Sequence, residues 1–191
     1  GKIACFWLPL LALYTGARLE ELAQLQVSDI KQAKGLGHYL SISDVMTPSA
    51  QLKNEHSRRN IPIHPVLMAC GFLEHVKGRG AGYLFPDLKI NPRGKRSGYF
   101  SNWFSGYLRK KVGIKDTRKV FHSFRHTFKD ACRQNGIEEA VHDALTGHKS
   151  VSVSRSYGND QFPLEPLFKA ITAYELKNFD LSRLFEQPLL Q

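Results

Sequence analysis

Between Val120 and Asn135 the apolar side chains recur three and four residues apart, as Phe121, Phe124, Phe128 and Cys132. That period predicts an amphipathic helix closed by Gly136, with the aromatic stripe buried. His122 and Arg125 stand three apart and so share a neighbouring face of the same helix. A planar cation beside an imidazole, on a helix anchored through aromatic rings, suits the grip of a phosphate. The rest of the chain must then supply a core for the rings and the groups that phosphate chemistry still lacks.

The charge balance favours such a ligand. The 191-residue chain carries 27 Lys+Arg against 17 Asp+Glu, a net +10, with a sequence pI of about 9.6. From Lys89 to Lys129 lysine and arginine recur through loops and helices alike, against Asp116 alone. A charge run is most often a solvated face; its persistence here favours nucleic acid over an anionic membrane. Cys5, Cys70 and Cys132 are odd in number and widely separated, with no Cys-x-x-Cys. This disfavours a disulfide framework or a zinc ribbon and fits a reducing cytosol. No apolar run of about eighteen residues is present, so no membrane span is expected. The length suits one large domain. The chain starts inside an apparent helix without an initiating Met, and a preceding N-terminal domain is expected.

In chain order, Phe6 to Thr15 has an apolar helical pattern, with Pro9 tolerable only near its first turn. Gly16 breaks it, and a second helix starts at Arg18, with Leu19, Leu22 and Leu25 inward and Arg18 and Glu21 on the other side. His38 to Val45 and Arg59 to Ile63 alternate as strands, Pro62 confining the second to a sheet edge. The polar turn from Met46 to Arg58 between them offers Lys53. Pro65 to Lys77 reads as one helix. Asn91 to Gly98 reads as an exposed basic loop. Tyr99 to Lys111 reads as a helix with Phe100, Trp103, Phe104, Tyr107 and Leu108 inward. Ile137 to Leu145 is a short helix stopped by Gly147, which presents His148 at a helix end. Pro163 opens a last helix with Leu167, Phe168, Ile171 and Tyr174 inward. A tail from Asn178 to Gln191 follows.

Arg18, His122, Arg125 and His148 are donors suited to the non-bridging oxygens of a phosphodiester, where charge builds in the transition state. A nucleophile remains to be found. Tyr14, Tyr39, Tyr83, Tyr99, Tyr107 and Tyr174 lie in apolar or aromatic patterns and read most simply as core or half-buried residues. Tyr157, nine residues after His148 in Ser154-Arg155-Ser156-Tyr157-Gly158-Asn159, does not. A phenol can form a covalent phosphoryl intermediate, and a hairpin lysine could protonate the leaving 5′-oxygen. Arg58, Arg59, Lys95, Arg96, Lys110 and Lys119 are the candidate contacts to the DNA backbone.

These motifs together resemble the catalytic domain of the tyrosine recombinases, or phage-type integrases. They run as Thr15-Gly16-Ala17-Arg18-Leu19-Glu20-Glu21, then Lys53 before Ser57-Arg58-Arg59-Asn60-Ile61-Pro62-Ile63, then His122-x-x-Arg125-His126-Thr127, Gly147-His148 and Tyr157. His-x-x-Arg alone is weak; in company with the Arg-x-x-Glu helix and the His-to-Tyr spacing it is specific. The resemblance spans about Phe6 to Ala173. It implies an α+β, mainly α fold of the DNA breaking-rejoining type with a small three-stranded antiparallel sheet, as a catalytic domain over 1–177 and a tail over 178–191 able to contact a neighbouring subunit. It places the catalytic arginines on Arg18 and Arg125, the supporting acid on Glu21, the lysine on Lys53, the histidines on His122 and His148, and the nucleophile on Tyr157. It further implies a site-specific recombinase acting through a 3′-phosphotyrosyl intermediate, without metal or cofactor, for integration or excision of a mobile element. The resemblance also implies double-stranded DNA as the partner, a homo-tetramer on that DNA, possible accessory DNA-bending proteins and a bacterial, cytoplasmic, nucleoid-associated setting.

Three rivals are weighed against it. His122 and His126 have the spacing of a helical metal pair, but Arg125 lies between them and opposes a dication, which leaves His126 as a structural, hydrogen-bonded residue. A degenerate DNA-binding regulator would keep the fold without needing the tyrosine. A type IB topoisomerase shares the chemistry and is disfavoured by the spacing and the small size.

Overall fold

A computed structural model describes residues 2–42, 58–148, 161–177 and 179–180. The elements run α1 (Lys2–Thr15), α2 (Leu19–Ala23), β1 (Ile30–Ala33), β2 (Gly37–Ile42), β3 (Arg59–Pro62), α3 (Pro65–Ala69) and α4 (Phe72–Arg79). They continue with α5 (Gly98–Lys110), α6 (Ser123–Gln134), α7 (Glu139–Thr146) and α8 (Leu164–Ala173). The fold is mainly helical with a small three-stranded antiparallel sheet, as the sequence leads one to expect.

The centre is α1, which is apolar on all sides: Trp7, Leu8, Leu11, Ala12 and Tyr14 are all buried. A helix without a polar face must be enclosed, and α1 packs on α6, from which Phe128 and Cys132 enter the core with no exposed surface. Because α1 begins at Lys2, Pro9 lies in its middle and not in its first turn. Proline keeps a helical φ there but cannot donate to the Cys5 carbonyl. Packing around the helix outweighs that missing bond.

The strand order is β1-β2-β3, with Ile30 opposite Leu40 and Leu40 opposite Ile61. Pro62 therefore lies on an edge strand, where its missing N–H is tolerated. β1 is the strand that alternation did not reveal. Both α7 and α8 pack against β3. His64 ties the far end of this layer together. Its Nδ1 accepts from the Val66 N–H at 3.0 Å, and its Nε2 bonds the Tyr174 carbonyl at 2.9 Å. The Tyr174 hydroxyl in turn donates to the Leu13 carbonyl at 2.9 Å.

Two helical readings are corrected. The span from Pro65 to Lys77 is two helices, because Gly71 takes a left-handed φ of 82° between α3 and α4. On α5, Phe100, Phe104 and Leu108 already fill the inward stripe at four-residue spacing. Trp103 and Tyr107 lie one residue earlier in each turn, so each keeps 43% of its surface exposed, and their rings stack 5.3 Å apart.

Candidate active site

The turn from α1 to α2 is set by Gly16, whose φ of 62° is a left-handed value. A Cβ at Gly16 would fall 2.5 Å from Cδ1 of Phe128, so both conformation and space require glycine. Arg18 follows in extended conformation as the residue capping α2. Glu21, one turn in, reaches back: its Oε2 accepts from the Arg18 backbone N–H at 2.7 Å and its Oε1 from Arg18 Nη1 at 3.0 Å. The carboxylate thus satisfies an orphan donor of the first turn and aims the Arg18 side chain at once. The two do not share a solvent-facing side, as periodicity led one to expect. The Arg18 side chain is 47% exposed and that of Glu21 only 7%.

Burial of Glu21 is compensated by Arg59. Arg59 Nη2 donates to Glu21 Oε2 at 2.6 Å and Nη1 to Oε1 at 3.1 Å, a bidentate pair, while Nε donates to the Leu145 carbonyl at 2.8 Å. Burial alone would raise the Glu21 carboxyl; the hydrogen bonds and charge of Arg59, aided by Arg18, hold it below the usual carboxylate value. The sequence reading of Arg59 as a DNA contact is corrected by this geometry, since the residue is only 5% exposed. Arg96 is corrected likewise. It is buried against the Tyr83 ring, 3.9 Å from its centroid, and donates from Nε to the Ala23 carbonyl and from Nη2 to the Phe85 carbonyl. The loop holding Arg96 is thus not wholly exposed. Arg58, Lys95, Lys110 and Lys119 are exposed.

Arg125 enters from α6. It is buried and its Nη1 donates to the Gly16 carbonyl at 2.7 Å, two residues from Arg18. Burial, then the charges of Arg18 and Arg59, push its pKa down to about 10, so it stays a cation at neutral pH. A buried arginine whose proton affinity is lowered by neighbouring cations marks a positive focus awaiting an anion. His122 caps α6 with an exposed side chain. Its pKa is lowered by such burial as its ring has, then by His126, Arg125 and Arg18, so the imidazole is neutral near pH 7. His126 is exposed, its ring edge-on to that of His122 at 5.2 Å, and is not a packed helix residue.

His148 leaves the end of α7, as Gly147 stops the helix at a φ of 65°. It is exposed, and its backbone N–H donates to the Asp143 carbonyl at 3.0 Å. A Cβ on Gly147 would lie 3.0 Å from Arg59 Nη1, which places the turn into His148 against the same guanidinium that holds Glu21. Arg18, Glu21, His122 and Arg125 are therefore gathered in one electrostatic neighbourhood, with His148 joined to it through Arg59. Lys53 and Tyr157 lie outside the described residues. Strand alternation carried a signal for Arg59 that was missed: it shares a face with Ile61, which is fully buried.

The family model of the phage integrases matches residues 4–162, most of the chain and all of the proposed site. The chain belongs to the phage integrase family. These are the tyrosine recombinases. None of the curated proteins matches the chain. Three solved structures to which the chain is similar are of the integrase of transposon Tn1549. One is in complex with transposon right-end DNA, at 19% identity over 79% of this chain and 53% of that one, with a TM-score of 0.47. Two are in complex with circular-intermediate DNA, at 17% and 18% identity, each over 92% of this chain, with TM-scores of 0.47 and 0.48. The chain spans about half the length of these structures, 53–56%.

Proposed function

We propose that this chain is the catalytic domain of a site-specific recombinase that cuts and rejoins DNA, for integration or excision of a mobile element. The observation that carries the reading is the pair Arg18 and Arg125, both cationic, one exposed and one buried, joined through the Gly16 turn and backed by a neutral His122. Such a pair matches the two non-bridging oxygens of a phosphodiester better than any carboxylate- or metal-based hydrolysis.

In the proposed reaction Tyr157 Oη bonds to phosphorus, the bond from phosphorus to the 5′-oxygen breaks, and a 3′-phosphotyrosyl end and a 5′-hydroxyl result. Neutral His122 is able to take the phenolic proton, and Lys53 to give one to the departing oxygen. Attack by a 5′-hydroxyl of a second duplex reverses the step, so bond energy is conserved. Binding to double-stranded DNA, assembly as a homo-tetramer on two duplexes, help from accessory DNA-bending proteins and a bacterial cytoplasmic setting belong to the same proposal, as do domain limits of 1–177 and 178–191.

The test uses the intact protein and DNA flanking its own gene, nicked near the crossover so that the intermediate accumulates. Wild type should give a covalent protein–DNA band on a denaturing gel. Arg125→Ala should form it about 100- to 1,000-fold more slowly with an unchanged fold by circular dichroism. Cleavage at the wild-type rate in that variant would sink the proposed site.

A further inference from the structure

We propose that Arg59 is a positioning residue for DNA cleavage, its buried guanidinium locking the carboxylate that orients Arg18 to the end of the helix that presents His148. The inference rests on the recombinase reading above and adds to it a part that touches no substrate.

The geometry sets what the side chain can do. At 5% exposure, with one edge of its fork on both Glu21 oxygens and Nε on the Leu145 carbonyl, it has no face to offer a phosphate. Glu21 and Leu145 each lead to a site residue. Glu21 also accepts from the backbone and side chain of Arg18, and Arg18 is about half exposed, so a carboxylate held in place is what keeps its guanidinium aimed. Leu145 belongs to the last turn of α7, whose carbonyls lack partners within the helix. A cation there satisfies one of them and complements the helix dipole. The chain then turns over Arg59 at Gly147, where a Cβ would crowd both Nη1 and Cδ, and goes straight on into His148.

Arginine is the residue this task demands. Its planar fork carries donors along one edge for a carboxylate and a separate Nε–H for a carbonyl, all fixed relative to one another. Lysine offers one point of charge and cannot meet both partners in the same geometry. A small shift of either partner is a shift of a phosphate donor, and misplacement by about 1 Å can cost about 100-fold in rate.

The experiment measures two quantities with the intact protein and its nicked DNA substrate: the Kd with its salt dependence, and the single-turnover cleavage rate at saturating DNA. Arg59→Met should bind within about two-fold of wild type, with an unchanged salt slope, yet cleave about 100-fold more slowly. Arg59→Lys should be intermediate, about 10-fold slower than wild type. Arg59→Met should also gain a fall in cleavage on the acid side as Glu21, its main counter-charge removed, takes up a proton. Adding Glu21→Gln should abolish that acid limb. A loss of affinity with a salt slope shallower by about one, and full cleavage at saturation, would make Arg59 a phosphate contact and overturn the proposal. Wild-type rates in the Met variant would overturn it too. Should Arg59→Met fail to fold by its thermal melt, Arg59→Lys decides alone: slowed cleavage at unchanged affinity supports the proposal, and the wild-type rate overturns it. Wild-type protein that binds the DNA but forms no adduct would bring down the recombinase reading and this inference with it. An adduct in wild type with an indifferent Arg59 would bring down this inference only.

Discussion

Glu20 and Glu21 are neighbours on one short helix, yet they organise two different regions of the molecule. Glu21 faces the candidate site, 7% exposed, and is met by two guanidiniums and a backbone N–H. Glu20 faces the other way and is less deeply buried. Its oxygens accept from the backbone N–H groups of Arg96 and Ser97 at 3.0 and 2.9 Å, at the start of α5, and from the Gln24 amide. Both carboxyls are pushed up by burial and pulled net below the ordinary value by their donors. The difference lies in who the donors are. Around Glu20 they are mostly neutral amides at a helix start, a capping arrangement that fixes a loop. Around Glu21 they are mostly cations, so the carboxylate doubles as counter-ion in a place where an excess positive charge faces solvent.

This contrast can be broken by substitution. Glu21→Gln leaves Arg59 buried without its counter-charge, and should cost about 3–5 kcal/mol of stability. The expected readout is a large fall in urea midpoint, with slowed cleavage in whatever remains folded. Glu20→Gln loses a charge and, with one amide oxygen in place of two carboxylate oxygens, leaves either the Arg96 or the Ser97 N–H without its acceptor; it should cost about 1–3 kcal/mol, with cleavage close to wild type. Equal penalties for the two would mean that the cationic donors of Glu21 add nothing.

A smaller effect concerns acid. His64, His75 and His142 all have folded pKa values below the ordinary 6.5, chiefly through burial. The folded protein then holds fewer protons than the unfolded chain. Their contribution is fully present above about pH 6.5, declines as pH falls through that value toward the folded pKa values, and stops declining below them. Thermal melts should therefore drop steadily from pH 7 to pH 5. At lower pH Glu20 and Glu21 add a second loss, below their unfolded value of about 4.5 and as pH falls through their depressed folded values. A melting temperature that is flat from pH 7 to pH 5 would contradict the burial of these rings as neutral imidazoles.

Much of the fold could be read from residue order. The three- and four-residue spacing from Phe121 to Cys132 located α6, Gly147 marked the end of α7, and Pro62 the edge of the sheet. The failures share a physical cause. Periodicity reports which residues are apolar, not which stripe has already been filled, so Trp103 and Tyr107 were placed inside when Phe100 and Phe104 had taken the space. A charge in the sequence does not say whether its partner lies inside or outside the chain, so Arg59 and Arg96 read as DNA contacts although Arg59 bonds the Leu145 carbonyl and the buried Glu21, and Arg96 the Ala23 and Phe85 carbonyls. The positions of Arg18, His122 and Arg125 were legible because their spacings are local to a turn or a helix. The frame behind them was not, because Glu21 to Arg59 and Arg59 to Leu145 join residues far apart in sequence.

The central claim is that this frame serves a tyrosine nucleophile, and peptide mapping of the trapped DNA adduct tests it most directly. After nuclease trimming and proteolysis of the covalent complex, mass spectrometry should find the nucleotide on the peptide containing Tyr157, and Tyr157→Phe should abolish it. An adduct on any other residue, or efficient cleavage with no adduct at all, would contradict the account.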